Sequence, residues 1–249
     1  MGGQACVLYG AAQFSKDIDF LILADESNFE GLHRALEDLQ ARRIAVPRFS
    51  PEVLGRGHAV HFRCAAPGVE SLRVVVMTNL RDLPEFEELC SRRTSLESEA
   101  DGEIHLLSIP DLVNAKKTQC EKDWPVIEAL VEAHYDALKF HPTADRLKFW
   151  LLESRTPKRL IELCIHFPKD AAGLVGERPI LALAIESDLL GLRIELDAEK
   201  RREQDKDRLY WEPLKREMEE FRRAERTAAL CANSEGNPIS PPASGPETE

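Results

Sequence analysis

The sequence predicts an α+β protein whose first part mixes strands with helices and whose second part is mostly helical. Two runs rich in β-branched residues, 59–64 (AVHFRC) and 72–77 (LRVVVM), predict strands joined by a turn at Pro67-Gly68. Apolar residues within 28–40 (NFEGLHRALEDLQ) recur at helical spacing. From residue 143 onward the chain is strongly charged and its pattern is typical of helices.

These patterns divide the chain into four parts. Residues 1–104 form the predicted α/β core, a small mixed sheet with flanking helices, and residues 105–140 form a pair of helices that completes it. Residues 141–232 form a helical C-terminal region. Residues 233–249, which are rich in Pro, Gly, Ser and Glu, predict a disordered tail.

The other elements follow in chain order. Residues 4–9 predict a helix after the Gly2-Gly3 turn, residues 18–23 a strand and residues 86–93 a short helix. Ser108-Ile-Pro-Asp111 resembles a helix start capped by Ser108, and we expect this helix to end near residue 121. Asp123 is expected to cap a second helix that ends at residue 134 or 135.

Composition limits the classes of function. The net charge of −11 argues against broad, sequence-independent binding to a nucleic-acid backbone. No run approaches the ~18–20 apolar residues of a membrane helix, so we expect no association with a membrane. The six cysteines include no CxxC pair, which predicts reduced, mostly buried thiols and a cytoplasmic location.

Asp17 and Asp19 stand one residue apart at the head of an apolar run. On a strand, residues i and i+2 point to the same face, about 7 Å apart along the chain. Two carboxylates this close repel each other unless a cation lies between them, and an oxygen-only ligand set suits Mg²⁺ or Mn²⁺. An acidic pair that merely flanks a strand or caps a turn is the structural alternative.

The Gly2-Gly3 turn supplies a second element of the predicted site. Glycine lets backbone N–H groups approach a phosphate closely, and a helix that follows directs its N-terminus at the anion. Because Mg²⁺ usually shares its ligands with substrate phosphates, the glycines and aspartates together predict chemistry on a nucleoside triphosphate. The other common phosphate motifs, GxxxxGK[ST] and GxGxxG, do not occur in the sequence.

The order of an apolar residue, Gly-Gly, a spacer and then Asp-x-Asp in a hydrophobic strand resembles the DNA polymerase β-like nucleotidyltransferase superfamily. The chain looks closest to its minimal bacterial members. The residues that fit the motif are Gly2, Gly3, Ser15, Asp17 and Asp19. The segment 112–124 (LVNAKKTQCEKDW) resembles a helix of related uncharacterised proteins, and the similarity covers residues 2–135.

The resemblance implies transfer of a nucleoside monophosphate from a triphosphate such as ATP to a hydroxyl on RNA, a protein or a small molecule. Asp17 and Asp19 would bind two divalent metals, and the glycine turn with Ser15 would bind the phosphates. Lys116 or Lys117 would neutralise the triphosphate. The two lysines diverge by about 100° on a helix, so at most one faces the cleft, and solvation of both is the alternative.

Three departures from the family pattern stand out. Gln13 occupies a position that is often arginine. Family members have a helix and a strand before the glycines, which here follow Met1 directly, so we expect that the natural protein begins upstream of Met1 or that this form is poorly soluble. Val75 occupies the position of a third carboxylate. The nearest acids are Glu70 and Asp82, and nothing in the sequence requires either of them to replace it.

Val75 favours a second hypothesis, a catalytically degenerate member that binds nucleotide or a partner protein without turnover. The helical C-terminal region would hold either the acceptor substrate or a partner protein, and the sequence does not say which.

Other side chains were weighed against these hypotheses. His58 and His61 are three residues apart, which on a strand places them on opposite faces and argues against a shared metal. Arg73 shares the face of Val75, where it meets a phosphate or Asp19, or else forms an ion pair at the strand end. An apolar stripe in the last helix is interpreted as packing: Tyr210, Trp211, Leu214, Met218 and Phe221.

Overall fold

The computed structural model describes residues 1–98 and 102–235. The described strands are β1 (Asp17–Leu21), β2 (Arg42–Arg43), β3 (Val60–Arg63), β4 (Arg73–Met77), β5 (Thr94–Ser98) and β6 (Gly102–Leu106). The helices of the first part are α1 (Gly2–Leu8), α2 (Glu26–Asp38), α3 (Pro51–Gly55), α4 (Phe86–Ser91), α5 (Ile109–Ala115) and α6 (Asp123–Leu138). The helices of the second part are α7 (Ala144–Glu153), α8 (Pro157–His166), α9 (Pro168–Leu174), α10 (Leu181–Ile185) and α11 (Leu189–Glu235). The fold is therefore mixed α+β, as the sequence predicts.

Four strands form a mixed sheet in the order β1-β4-β3-β2. The β1–β4 pair is parallel, whereas β3 pairs antiparallel with both β4 and β2. One face of this sheet is apolar and packs against α2, with Phe29, Leu36, Phe62, Val74 and Val76 buried in one cluster. Because side chains alternate along a strand, the intervening residues of β1, β3 and β4 lie on the opposite face, where the predicted site residues stand.

A second apolar cluster joins α1, α5 and α6 to the β5–β6 hairpin. Its fully buried members include Cys6, Leu89, Leu112, Ile127 and Leu130. This cluster fixes the start of the chain and the end of α5 in the same layer, so that both come near the end of β1.

A third cluster forms the core of the helical region, with Trp150, Leu151, Leu160, Leu181 and Leu192 buried among α7, α8, α10 and α11. The prediction of a helical region from residue 143 onward is therefore confirmed. Helix α11 contains 47 residues, with Pro213 inside it, and it extends well past this core. No helix in the described part of the chain combines the length and the apolar character needed to cross a bilayer.

The predicted strands at 59–64 and 72–77, the helix at 28–40 and the short helix at 86–93 are confirmed within a few residues. The first helix begins at Gly2 instead of residue 4, so the glycines belong to its first turn. Residues 233–235 continue α11, so the predicted disordered tail is wrong at its start, and residues 236–249 lie outside the described ranges.

Three predictions about the helical pair are wrong in detail. Helix α6 ends at Leu138 and not at residue 134 or 135. Helix α5 ends at Ala115 and not near residue 121, because the chain turns at Lys116 and Thr118. Ser108 does cap α5, accepting the N–H of Asp111 at 3.3 Å. Asp123, by contrast, is the first residue of α6 and not its cap, because its carboxylate accepts hydrogen bonds from Lys116 and Thr118 of the turn.

Candidate functional site

The two aspartates lie on the same face of β1, the edge strand that pairs with β4. In the parallel ladder Asp17 stands opposite Arg73 and Asp19 stands opposite Val75. In the antiparallel ladder Val75 stands opposite His61. Directly opposed residues share a face of the sheet, so Asp19, Val75 and His61 form one row across three strands.

The Gly2-Gly3 turn is in close contact with Asp19. Gly2 has φ of +69°, and a methyl group at this position would lie 1.9 Å from Asp19 Oδ2 and 2.8 Å from Asp19 Cβ. A methyl group on Gly3 would lie 2.3 Å from Ser15 Oγ. The N–H of Gly3 donates to Asp19 Oδ2 at 3.4 Å. Only glycine fits both positions, and the turn, Ser15 and Asp19 therefore come together as the sequence predicts.

Ser15 supports the entry into β1. Its hydroxyl donates to the carbonyl oxygen of Asp17 at 2.8 Å, and it accepts the N–H of the same residue at 3.4 Å. The hydroxyl proton of Ser15 thus already forms a hydrogen bond with the backbone. Its predicted contact with a phosphate stays a prediction, whereas its role in positioning Asp17 is visible in these hydrogen bonds.

Arg73 forms the ion pair that the sequence analysis gave as one of its alternatives. Its Nε lies 3.6 Å from Asp17 Oδ1, which is longer than a hydrogen bond. These two atoms and His61 Nδ1 are buried without a hydrogen-bond partner in the described part of the chain. Burial lowers the pKa of His61, and the nearby Arg73 guanidinium acts in the same direction, against the opposing charges of Asp19 and Asp17. The His61 imidazole is therefore neutral near pH 7.

The two lysines diverge, but they lie after the end of α5 at Ala115 and not on a helix as predicted. Lys116 lines a cavity together with Gly2 and Asp19. Burial works against its charged form, but its pKa is raised overall because the Asp123 carboxylate lies 2.9 Å from Nζ. Lys117 instead pairs with Glu153 at 2.7 Å and lines a different cavity. Of the two, only Lys116 places a positive charge beside the aspartates.

The cavity beside Asp19 has a volume of about 190 Å³. One wall comes from α1, β1 and the end of β4, a second from the turn that follows α5, and a third from α11. The lining residues are Met1, Gly2, Asp19, Met77, Asn79, Leu80, Arg81, Leu112, Asn114, Ala115, Lys116, Thr118, Asp207, Tyr210 and Trp211.

The position of the third carboxylate holds a buried valine, with Val75 5% exposed. Neither acid considered from the sequence replaces it. The Glu70 carboxylate accepts the N–H of Gly68 at 3.0 Å in the turn between β3 and β4, and Asp82 pairs with Arg81 at 2.7 Å. Among residues 1–98 and 102–235, no group of three or more His, Cys, Asp or Glu side chains is placed to hold a metal ion.

Sequence reasoning missed several residues at the site. The sequence suggests His61 only as a partner of His58, which is buried elsewhere and lies 2.6 Å from Glu217. The helical spacing of Tyr210 and Trp211 predicts packing, and no sequence motif marks Arg81 as part of the site. The signal for His61 lay in the strand order, which places β3 beside β4, and a single sequence does not state that order.

Comparisons with known proteins add no identification. No protein-family model matches the chain. A search of curated proteins also finds no match. The function therefore has to be argued from the geometry of the site.

Proposed function

We propose that this protein binds a nucleoside triphosphate together with Mg²⁺ or Mn²⁺ and transfers the nucleoside monophosphate to a hydroxyl acceptor. The observation that carries the proposal is the contact between the glycine turn and Asp19, where a methyl group on Gly2 would lie 1.9 Å from the carboxylate. This contact places the N–H of Gly3, which donates to Asp19 Oδ2 at 3.4 Å, beside a cation-binding oxygen, and a metal-bound phosphate uses both kinds of group.

Asp17 and Asp19 are the residues that would hold the cation. Mg²⁺ is commonly bound by one or two carboxylates together with substrate phosphates, so the pair fits this ion without a third protein ligand. The bound cation would stabilise the negative charge that develops on the transferring phosphoryl group. Lys116 would add a positive charge for the phosphates, and the glycine turn would add backbone donors.

In the proposed transfer the acceptor oxygen bonds to the α-phosphorus, the bond to the bridging oxygen breaks, and pyrophosphate leaves. The acceptor proton must pass to a base. His61 stands two strands from Asp19 in the same row, and its neutral imidazole suits this role. Its distance from Asp19, across the intervening Val75, argues for slow transfer.

The second candidate function is binding of the metal–nucleotide without turnover. The observation that favours it is the buried Val75, since valine neither binds a metal nor accepts a proton. The proposed acceptor is RNA, a protein or a small molecule. We also propose a partner protein that binds the helical region, and a cytoplasmic location.

Thermal unfolding tests the shared part of both candidates. Mg²⁺ or Mn²⁺ with a triphosphate should raise the Tm of the parent protein, because a ligand that binds only the native state stabilises it. The double variant Asp17→Asn/Asp19→Asn should lose this shift. The matched control is Glu37→Gln/Asp38→Asn, which removes two exposed carboxylates from α2 with the same change in net charge. A double aspartate variant that responds as the parent does would place the site elsewhere.

Transfer itself is tested by incubating the protein with each of the four labelled triphosphates, Mg²⁺ and total cell RNA. Label that appears in RNA, or in the protein, and that depends on Asp17 and Asp19 would support the transferase. Metal-dependent binding without any transfer would favour the second candidate.

A further inference from the structure

Helix α11 runs beyond the helical core and contacts the sheet half of the molecule on both sides of residues 210–211. Asp207 is 3% exposed, and its Oδ1 lies 3.3 Å from Arg81 Nε, just after β4. Further along the helix, Glu217 Oε2 lies 2.6 Å from Nε2 of the fully buried His58. Because charged contacts flank residues 210–211, this part of α11 is a fixed wall of the cavity beside Asp19.

The tryptophan on this wall differs from the other two in the chain. Trp124 and Trp150 are buried, and their indole N–H groups donate to Thr118 O at 3.1 Å and to His134 Nδ1 at 2.8 Å. Trp211 is only half-buried, and in the described ranges its indole N–H has no hydrogen-bond partner. Its described ring contact is an edge-to-face pair with Tyr210 at 5.3 Å. Packing therefore leaves part of this indole open toward the cavity.

The walls of the cavity differ in chemistry. Gly2, Asp19 and Lys116 form a wall that suits phosphates and a cation, whereas Tyr210 and Trp211 form an aromatic wall. The volume of about 190 Å³ is smaller than the roughly 300–1,000 Å³ of pockets that enclose a whole small molecule. The cavity is therefore too small to enclose a whole nucleotide, and a nucleotide that contacts both walls would stay partly exposed to solvent.

We propose that Trp211 stacks on the nucleobase of the triphosphate whose phosphates lie at the Gly2-Gly3 turn. The inference rests on the proposed function, since it names the base-binding residue of the same site. A nucleobase is the planar, weakly polar part of a nucleotide, and aromatic side chains bind it through its π face. Every base has such a face, so Trp211 binds all four triphosphates with little discrimination.

The test uses the full chain and two probes that differ only in the presence of a nucleoside. ATP and inorganic tripolyphosphate are each titrated with Mg²⁺, while Tm and tryptophan fluorescence are recorded. We expect both probes to raise Tm but only ATP to quench fluorescence. In Trp211→Ala the dissociation constant for ATP should rise about 5- to 150-fold, the range for loss of one base–aromatic stack, with no change for tripolyphosphate.

Two further variants keep the test interpretable. Trp211→Phe retains an aromatic ring and should keep most of the ATP affinity, and it serves if the alanine variant does not fold. Leu209→Ala truncates an apolar side chain that is 68% exposed on the same helix, and it should bind both probes as the parent does.

The outcomes separate the two proposals. If neither probe raises the Tm of the parent, the phosphate site and the proposed function both fail. If both probes bind but Trp211→Ala binds ATP as tightly as the parent, or ATP causes no quenching, then only the stacking inference is overturned. Equal weakening of both probes in Trp211→Ala would likewise overturn it, because it would indicate a structural role.

Discussion

Replacing Gly2 by alanine should weaken nucleotide binding about 100-fold while leaving the fold intact. Gly2 has φ of +69°, and alanine in the left-handed region costs about 1–2 kcal/mol. The added methyl would also lie 1.9 Å from Asp19 Oδ2. Ordinary non-bonded carbon contacts are ~3.5–4.0 Å, so the Asp19 side chain must move by roughly 1.5 Å. Its Cβ, 2.8 Å from the new methyl, ties that movement to β1.

Gly10 provides the matched control. Its φ is +76°, so Gly10→Ala carries the same backbone strain, but an added methyl there would meet no atom within 4 Å. Backbone strain alone should cost each variant about 1–2 kcal/mol, which corresponds to a fall in Tm of about 2–8 °C for a chain of this size. The difference between them reports the displacement of Asp19 alone.

The size of the binding effect follows from that displacement. Misplacing a reacting group by about 1 Å costs about 100-fold, and we expect a similar loss of affinity. At a Mg²⁺–triphosphate concentration about 100 times the parent Kd, ligand binding stabilises the parent and Gly10→Ala by about 2.7 kcal/mol. In Gly2→Ala the same concentration should give only about 0.4 kcal/mol. A Gly2→Ala protein whose Tm rises with ligand as much as that of Gly10→Ala would refute the reasoning.

Three further predictions concern other parts of the molecule. Val75→Asp should raise the transfer rate by about 100-fold or more, with little change in nucleotide affinity, because it restores a proton acceptor. Glu217→Ala should lower stability by about 1.5–3 kcal/mol, or Tm by about 3–12 °C, because it leaves the buried His58 without its charged partner. Burial lowers the pKa of His134, whose Nδ1 accepts the indole N–H of Trp150. Stability should therefore fall as pH drops below about 6.5, where the unfolded chain takes up a proton that the folded protein does not.

Each of these has a control. Val75→Asn matches the shape of the aspartate without its charge and should give no gain in rate. A well-folded Val75→Asp variant that is no faster would show that position 75 does not limit transfer. Glu220→Ala removes an exposed carboxylate of the same helix and should leave Tm unchanged. His134→Leu should make Tm less dependent on pH below about 6.5. A pH dependence equal to that of the parent would show that His134 is not the group responsible.

Local pattern was enough to place the aspartates and their strand. Asp17 and Asp19 lie on β1. The β-branched residues of β3 and β4 mark these two segments as strands. The β5–β6 hairpin was missed because its residues are mostly polar and exposed, so no apolar periodicity marks it. The two-residue strand β2 exists only through its pairing with β3, and local sequence does not report such pairing.

The parts of the site that sequence could not supply are the long-range ones. His61 enters the row of Asp19 only because β4 lies between β1 and β3. Asp123 was expected to cap α6 by local rules, but a tertiary contact with Lys116 takes its carboxylate. The stripe that includes Trp211 has the spacing of any amphipathic helix, and its position beside Asp19 depends on where α11 runs after it leaves the helical core.

The position of α11 sets the order in which the cavity is completed during protein synthesis. The contact between His58 and Glu217 spans 159 residues. At about 5–20 residues per second, a ribosome needs roughly 10–30 s to add that length. The sheet and its glycine turn thus emerge long before the wall that carries Trp211, and His58 and Arg81 meanwhile have no partner from α11. The affinity of the nascent chain for nucleotide should therefore increase when the last helix docks, after Asp17 and Asp19 have already been folded into their strand.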